Sequence, residues 1–97
     1  MVIKILDHVA NCSSYTDGET IFNIIGPVIQ RGEDVVLSFE GVDAIPSSFV
    51  NASIVRLIEI VSLSEIKSHL KVIKSTRQIN ALIKGRIDFL SQTENLK

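Results

Sequence analysis

Few side chains in this 97-residue sequence are of the types that carry out covalent or metal chemistry. The two histidines, His8 and His69, and the single cysteine, Cys12, lack the short spacing of metal ligands. A serine–histidine–acid triad would need Ser47 and His69, but no nucleophile elbow surrounds this serine, and no glycine-rich phosphate loop is present. We predict that the chain is not an enzyme, that it uses no cofactor or metal, and that Cys12 is an inert thiol, either in a loop or half-buried.

The elements around these residues alternate between strands and helices. Apolar, β-branched runs at residues 2–6, 35–39 and 69–73 predict three strands, and each is followed by apolar residues at helical spacing. The first helix is predicted to begin with a Thr16–Glu19 capping box and to be interrupted at Gly26-Pro27 before it ends at Gly32. The order β-α-β-α-β-α predicts an α/β fold with a small, mostly parallel sheet and helices packed against it.

The later elements follow from the same patterns. Ser47 or Ser48 is expected to cap the second helix, and Ser75 or Thr76 the last one, whereas the polar residues 62–67 predict a connection. The strand at 35–39 is the most uniformly apolar, so we predict that it is central and covered on both faces. We predict one domain at residues 1–91 and a polar tail at 92–97. The predicted core contains Leu37, Phe39, Ile54, Leu57, Ile58, Ile83 and Ile87.

Charge is unevenly distributed along the chain, although the net charge is only −1. Residues 1–64 hold three basic and eight acidic residues, whereas residues 65–97 hold seven basic and three acidic ones. The basic segment 67–86 is either a face for an anionic partner or a set of solvated side chains. Only Phe89 accompanies these charges, which argues against single-stranded nucleic acid. No apolar run approaches the roughly 18 residues of a membrane span, and we expect a cytoplasmic protein.

The most informative segment is residues 35–49, Val-Val-Leu-Ser-Phe-Glu-Gly-Val-Asp-Ala-Ile-Pro-Ser-Ser-Phe. An apolar strand leads into an acidic loop, and the loop delivers Ser47 and Ser48 to the start of a helix. One hypothesis is a simple helix cap, which stabilises by about 1 kcal/mol. The other is a regulatory site: a phosphate would add about −1.5 to −2 charge beside Glu40 and Asp43 and would repel a partner.

This segment resembles the STAS domain of anti-sigma factor antagonists, in which a strand ending in Asp-Phe-x-Gly-Val precedes Asp-Ser-Ser-Gly. It is more similar to a STAS-like family of small bacterial proteins and appended domains, with Ser-Ser-Phe after the strand. The family also tends to have a polar segment and a glycine before the first helix, which here corresponds to residues 14–18, Ser-Tyr-Thr-Asp-Gly. The chain departs from the antagonist pattern at Ser38, Pro46 and Phe49.

The resemblance implies a regulatory module that binds a protein partner and is switched by phosphorylation. In the antagonists the partner is a histidine-kinase-like ATPase, and the modified serine corresponds to Ser47, with Ser48 as its neighbour. The partner-binding candidates on the 43–56 surface are Asp43, Phe49, Asn51 and Arg56. For Phe49 a core contact is the alternative to an exposed anchor.

Two other functions remain open at this level. The chain is small enough that self-association into a homodimer or larger assembly, through an apolar helix face or a sheet edge, is a second hypothesis. A nucleic-acid contact through residues 67–86 is a third, which steep salt dependence of binding would support.

Overall fold

Three short parallel strands pair in the order in which they occur along the chain, so the strand at the centre is the second one. The structure is a computed structural model that describes residues 1–95, with side chains through residue 92. The strands are β1 (Val2–Lys4), β2 (Val35–Ser38) and β3 (Leu70–Ile73). The helices are α1 (Tyr15–Gln30), α2 (Ser47–Ser53), α3 (Leu63–His69) and α4 (Arg77–Asn95), with short 3₁₀ helices at Ile5–Asp7 and Val55–Glu59.

The sheet has one buried and one open face. Ile3 of β1 lies beside Leu37 of β2, which lies beside Val72 of β3, and the first two are almost completely buried. On the other face, Val2 is 69% exposed and Ile73 is 40% exposed. Two right-handed connections that advance in the same direction place their helices on one face of the sheet. The predicted parallel α/β fold with a central β2 is therefore confirmed. On the open face β2 carries Val36, which is half-buried, and Ser38, which is 5% exposed, so β2 is more covered on this face than its two neighbours.

The first helix begins two residues before the predicted capping box. Ser14 is the N-cap, and its Oγ accepts a hydrogen bond from the Asp17 N–H at 3.2 Å. The predicted Thr16–Glu19 box does not form, because Thr16 already lies within α1. The helix continues through Pro27 and does not divide into two turns.

The end of α1 is closed by a Schellman motif at Gly32. The Gly32 N–H bonds to Ile29 O and the Glu33 N–H to Val28 O, while Gly32 has a φ of +78°. The chain therefore reverses towards β2 at the glycine expected from the sequence.

The connection between β2 and β3 contains more helix than predicted. α2 ends at Ser53, and a 3₁₀ helix continues the chain from Val55 to Glu59. Residues 62–67, predicted as a connection, are mostly helical, because Ser62 and Glu65 make a reciprocal capping box that starts α3. At the start of α4, Thr76 Oγ1 accepts from the Ile79 N–H at 3.3 Å, which confirms Thr76 as one of its two predicted caps. α4 continues to Asn95, beyond the predicted domain boundary at 91, and residues 96 and 97 of the predicted tail lie outside the described residues.

The core lies between the sheet on one side and α1, α2 and the second 3₁₀ helix (Val55–Glu59, here called the 3₁₀ segment) on the other. Four of the predicted core residues are fully buried, namely Leu37, Phe39, Ile54 and Leu57. Ile58, Ile83 and Ile87 are only half-buried and pack against the edge of this core. The outer turns of α4 therefore lie at the border of the core, where the predicted burial was too high.

Helices α1 and α2 approach each other closely at Gly18. A Cβ at this position would lie 2.6 Å from the Phe49 carbonyl oxygen and 2.6 Å from the Ala52 Cβ. Real side chains do not tolerate such distances, and a backbone atom cannot move aside cheaply. Gly18 is therefore required by the packing of the first turn of α1 on α2.

Replacing Gly18 tests this contact. Gly18→Ala should lower the free energy of unfolding by about 1–3 kcal/mol, because overpacking forces the two helices apart. Gly85 is the matched control: it also lies within a helix, but its Cβ position has no neighbour within 4 Å. Gly85→Ala should raise the free energy of unfolding by about 0.5–1 kcal/mol through helix propensity. Urea denaturation of both variants measures the difference, and changes of the same sign would contradict the proposed contact.

Candidate functional site

The candidate site lies at the carboxyl edge of the sheet, where the chain turns after β2. The Val42 N–H bonds to Phe39 O at 2.9 Å and closes a turn in which Gly41 has a φ of +86°. Ser38, where the antagonist pattern has aspartate, is nearly buried, and its Oγ accepts from the Glu40 N–H at 3.4 Å. The residue that departs from the pattern therefore supports the turn.

The loop that follows this turn is held to the start of α4. The side-chain amide of Gln78 accepts a hydrogen bond from Ile45 N and donates one to Ile45 O, both at 3.0 Å. Thr76 Oγ1 donates to Asp43 O at 2.8 Å. Three hydrogen bonds therefore fix residues 43–45 against α4, although the partners are 33 residues apart in the chain.

Ser47 is the first residue of α2, and its side chain is exposed. Pro46 occupies the N-cap position with extended backbone angles, and its carbonyl accepts from the Phe49 N–H at 3.2 Å. The prediction that Ser47 or Ser48 caps the helix is therefore wrong. Ser48 is half-buried, and within the described part of the chain neither serine hydroxyl makes a hydrogen bond. The Ser47 hydroxyl has no structural function in this arrangement.

Of the four partner-binding candidates, two are exposed and two already contact other side chains of this domain. Asp43 and Asn51 are exposed, and Asn51 lies one helical turn after Ser47, on the same side of α2. Phe49 is only 1% exposed and packs edge-to-face on Phe39, with ring centroids 6.5 Å apart. Phe49 is therefore a core residue and not the surface anchor that was one of its two predicted roles.

Arg56 is already surrounded by groups of its own chain. Its Nη1 lies 3.2 Å from a carboxylate oxygen of Glu19, and its Nε lies 3.5 Å from one of Glu59. The guanidinium also stacks 4.6 Å from the centre of the Phe22 ring. Glu19, predicted to cap α1, instead joins α1 to the 3₁₀ segment through this arginine.

The loop is less acidic than its sequence indicates. The Glu40 carboxylate lies 3.3 Å from Lys4 Nζ and 3.9 Å from Lys74 Nζ, because the carboxyl ends of three parallel strands meet at this edge. Lys74 has a φ of +53°, which places its backbone in the left-handed region. Exposed ion pairs contribute little stability, but they balance the Glu40 charge. Asp43 has no ion pair within the described residues, so it supplies the negative charge nearest in sequence to Ser47.

His69 lies at the opposite edge of the sheet from Ser47. His69 is the last residue of α3 and directly precedes β3. Its Nδ1 lies 2.8 Å from a carboxylate oxygen of Asp34, the residue that directly precedes β2. The hydrogen bond from His69 holds the pKa of Asp34 below its usual value. The serine–histidine–acid triad considered from the sequence is therefore not assembled.

Cys12 lies beside a cleft of about 270 Å³ between the loops that follow β1 and β2. Burial, reinforced by the negative charge of Asp17, raises the pKa of the Cys12 thiol to about 11. At neutral pH the residue is a protonated thiol and a poor nucleophile, as expected from the sequence. Within the described residues, no three histidine, cysteine or acidic side chains are close enough to hold a metal ion.

Sequence patterns did not indicate two residues at this end of the sheet. Gln78 has no local signal, because its partner Ile45 is distant in the chain. Tyr15, 49% exposed, stands on the first turn of α1, the helix whose Gly18 contacts Phe49 of α2. Exposed tyrosine is a residue type enriched at protein interfaces, and this could have singled it out.

Parallel strands in sequence order, helices on one face and an exposed serine at the start of the helix after the central strand are the features of a small α/β domain. Residues 17–80 match the STAS-like domain of unknown function (DUF4325), and the chain belongs to this family. Neither the curated proteins nor the solved structures compared with the chain include a match. None of the helices in the described part of the chain is long and apolar enough to cross a membrane.

The Gln78 amide provides a direct test of how the loop is held. Gln78→Glu keeps the shape and the acceptor for Ile45 N, but it loses the donor to Ile45 O. We expect the free energy of unfolding at pH 7 to fall by about 0.5–1.5 kcal/mol, the usual net value of one hydrogen bond.

The pH dependence of this variant identifies the cause. Protonation gives the new carboxyl a donor, so its pKa should be higher in the folded state. The loss should therefore shrink as the pH falls through this raised pKa and should be smallest below about 4, where the carboxyl is protonated in both states. Asn80→Asp, also exposed on α4, keeps the Oδ1 atom that accepts a hydrogen bond from Ser75 Oγ and serves as the matched control for added charge. Denaturation at pH 7 and pH 3.5 measures the free energy of unfolding of both variants. Parallel changes in the two variants would contradict the role of the hydrogen bonds between Gln78 and Ile45.

Proposed function

We propose that this chain is a non-enzymatic regulatory module that binds a protein partner through a surface centred on Ser47, and that phosphorylation of Ser47 switches this binding. We call the exposed residues Asp43, Ser47 and Asn51 the Ser47 surface. The observation that carries the proposal is an exposed hydroxyl without a structural function on a backbone that is fixed on both sides.

The fixed backbone gives the Ser47 surface a defined shape before any partner binds. On one side, Gln78 holds Ile45, and on the other, the buried Ser53 Oγ donates to Phe49 O at 2.7 Å. Little conformational entropy would be lost on binding, which favours affinity. A kinase would also meet the hydroxyl at an exposed position that no internal hydrogen bond withholds.

Charge supports the direction of the switch. Glu40 is balanced by two lysines, so the unmodified Ser47 surface carries mainly the charge of Asp43. Phosphate would add about −1.5 to −2 charge, a change larger than the charge already there. A partner fitted to the unmodified surface would then face uncompensated negative charge, and the added group would weaken binding.

The class of partner is proposed by family analogy. Anti-sigma factor antagonists, which the serine segment resembles, bind a histidine-kinase-like ATPase, and this analogy supports the same class of partner here. The strand order of the described sheet has no reversal, so it lacks the crevice in which open α/β sheets usually bind small ligands. This absence supports a surface function over a small-molecule site.

Substitutions at Ser47 test the switch once a partner has been co-purified from the native cell and identified. Ser47→Asp should weaken the partner's affinity by about tenfold or more, whereas Ser47→Ala should leave it within about twofold. Both variants should be as stable as the parent chain, because the hydroxyl caps no helix. Ser64→Asp places the same charge in the first turn of α3 and is the matched control. Equal affinities of the Ser, Ala and Asp forms at position 47, measured by calorimetry at fixed salt, would refute the switch.

The open face of the sheet favours self-association as a second candidate function. Val2 and Ile73 are exposed there, and Val36, which pairs with Val2, is half-buried. Pairing two such faces would bury apolar surface that is now in water. Sedimentation equilibrium should then show a dimer that Val2→Glu converts to monomer, and a monomer at all concentrations would exclude this function.

A further inference from the structure

An apolar groove of about 240 Å³ borders β3 on the helix side of the sheet. α3 contributes Ile66, β3 contributes Leu70 and Val72, and α4 contributes Ile83 and Ile87. All but Ile66 are only half-buried. We call this feature the β3 groove; it shares no residue with the Ser47 surface.

The groove lies beside a strand edge that has no neighbour. Among the described strands, β3 pairs only with β2. The Phe39 N–H donates to Ile73 O, so the backbone groups of Ile73 face β2. Backbone groups of successive residues in a strand point to opposite sides, and those of Val72 therefore face outward. The Leu70 N–H already donates to Ile66 O at the end of α3, so the outward groups left for another strand are the Leu70 carbonyl and the N–H and carbonyl of Val72. Unpaired backbone groups of this kind are a template for another strand.

A strand added to this edge would also fill the groove. It would lie about 4.8 Å from β3, and every second side chain would point to the helix side, as those of Leu70 and Val72 do. These side chains would enter the space bounded by Ile83 and Ile87. The open edge and the apolar groove are therefore two parts of one site for an extended segment.

The charge around the groove indicates what the extended segment carries. Residues 65–86 contain six basic side chains and one acidic one. Of the basic residues, Lys67 lines the groove itself, whereas Lys74 is already paired with Glu40. Lys71 projects from β3 on the other face of the sheet. We propose that the β3 groove binds an extended segment of a partner protein, with apolar residues at alternate positions and acidic residues between them. This proposal goes beyond the Ser47 switch and does not depend on it.

A second copy of this chain fits the site poorly. Antiparallel pairing of two β3 strands would bring the Lys71 side chains of the two copies near each other on one face, and like charges across strands are destabilising. The other edge strand, β1, has the sequence Val-Ile-Lys and likewise offers no acidic residue. Charge complementarity therefore favours a different, acidic partner.

Synthetic peptides test the proposal on the intact chain. A labelled peptide of roughly eight alternating valine and glutamate residues, a usual strand length, should bind and raise fluorescence anisotropy. A peptide of alternating valine and lysine should not bind. Hydrogen exchange of the Val72 amide should slow when the glutamate peptide is added. Failure of the glutamate peptide to bind at millimolar concentration, equal binding of both peptides, or a bound peptide that leaves Val72 exchange unchanged would each overturn the proposal.

Variants locate the binding site. Val72→Pro removes an outward N–H that β2 does not use and should abolish peptide binding. Ile83→Gln should weaken it at least tenfold, and it keeps the proposal testable if the proline variant does not fold. Ile73→Gln, the same change on the open face, should leave affinity within twofold, as should Ser47→Asp. Equal effects of the two glutamine variants would overturn the assignment, and so would a dimer of the free chain that Val72→Pro abolishes.

Discussion

The close contact between α1 and α2 determines much of the geometry of this domain. Gly18 lets the first turn of α1 approach the carbonyl of Phe49, and the same carbonyl accepts the buried Ser53 hydroxyl. A helix as short as α2 is not stable by itself, because most helical stability in proteins comes from packing. The contact therefore holds α2 in place, directs the Phe49 ring into the core and leaves Ser47 at the surface.

The order of elements and the central strand could be predicted because they depend on local patterns. Val35, Leu37 and Phe39 lie in an apolar run, and such a run between turn residues predicts a strand in the middle of a sheet. Helix starts were less predictable. Thr16 has Glu19 three residues later and was the predicted cap, but Ser14 has Asp17 at the same spacing and is the cap that forms. At residues 62–67, polar composition concealed a capping box that starts α3.

The candidate site was predictable only in part. The sequence located Ser47 at the start of a helix, but Pro46 takes the cap position, so capping could not be separated from exposure without coordinates. The balance of charge around Glu40 depends on Lys4 and Lys74, which come from two other segments of the chain. Interactions of this kind have no spacing that a sequence pattern detects. A single sequence therefore indicates where a site lies more readily than how it is charged.

The paired hydrogen bonds of Gln78 have a consequence for how this family varies. A carboxylate only accepts hydrogen bonds and an ammonium only donates them, whereas an amide does both. Asparagine has the same group on a shorter side chain. Although Gln78 is exposed, where most positions vary freely, its side chain acts as one more peptide unit for Ile45. Position 78 should therefore accept as few residue types among relatives as a buried position does.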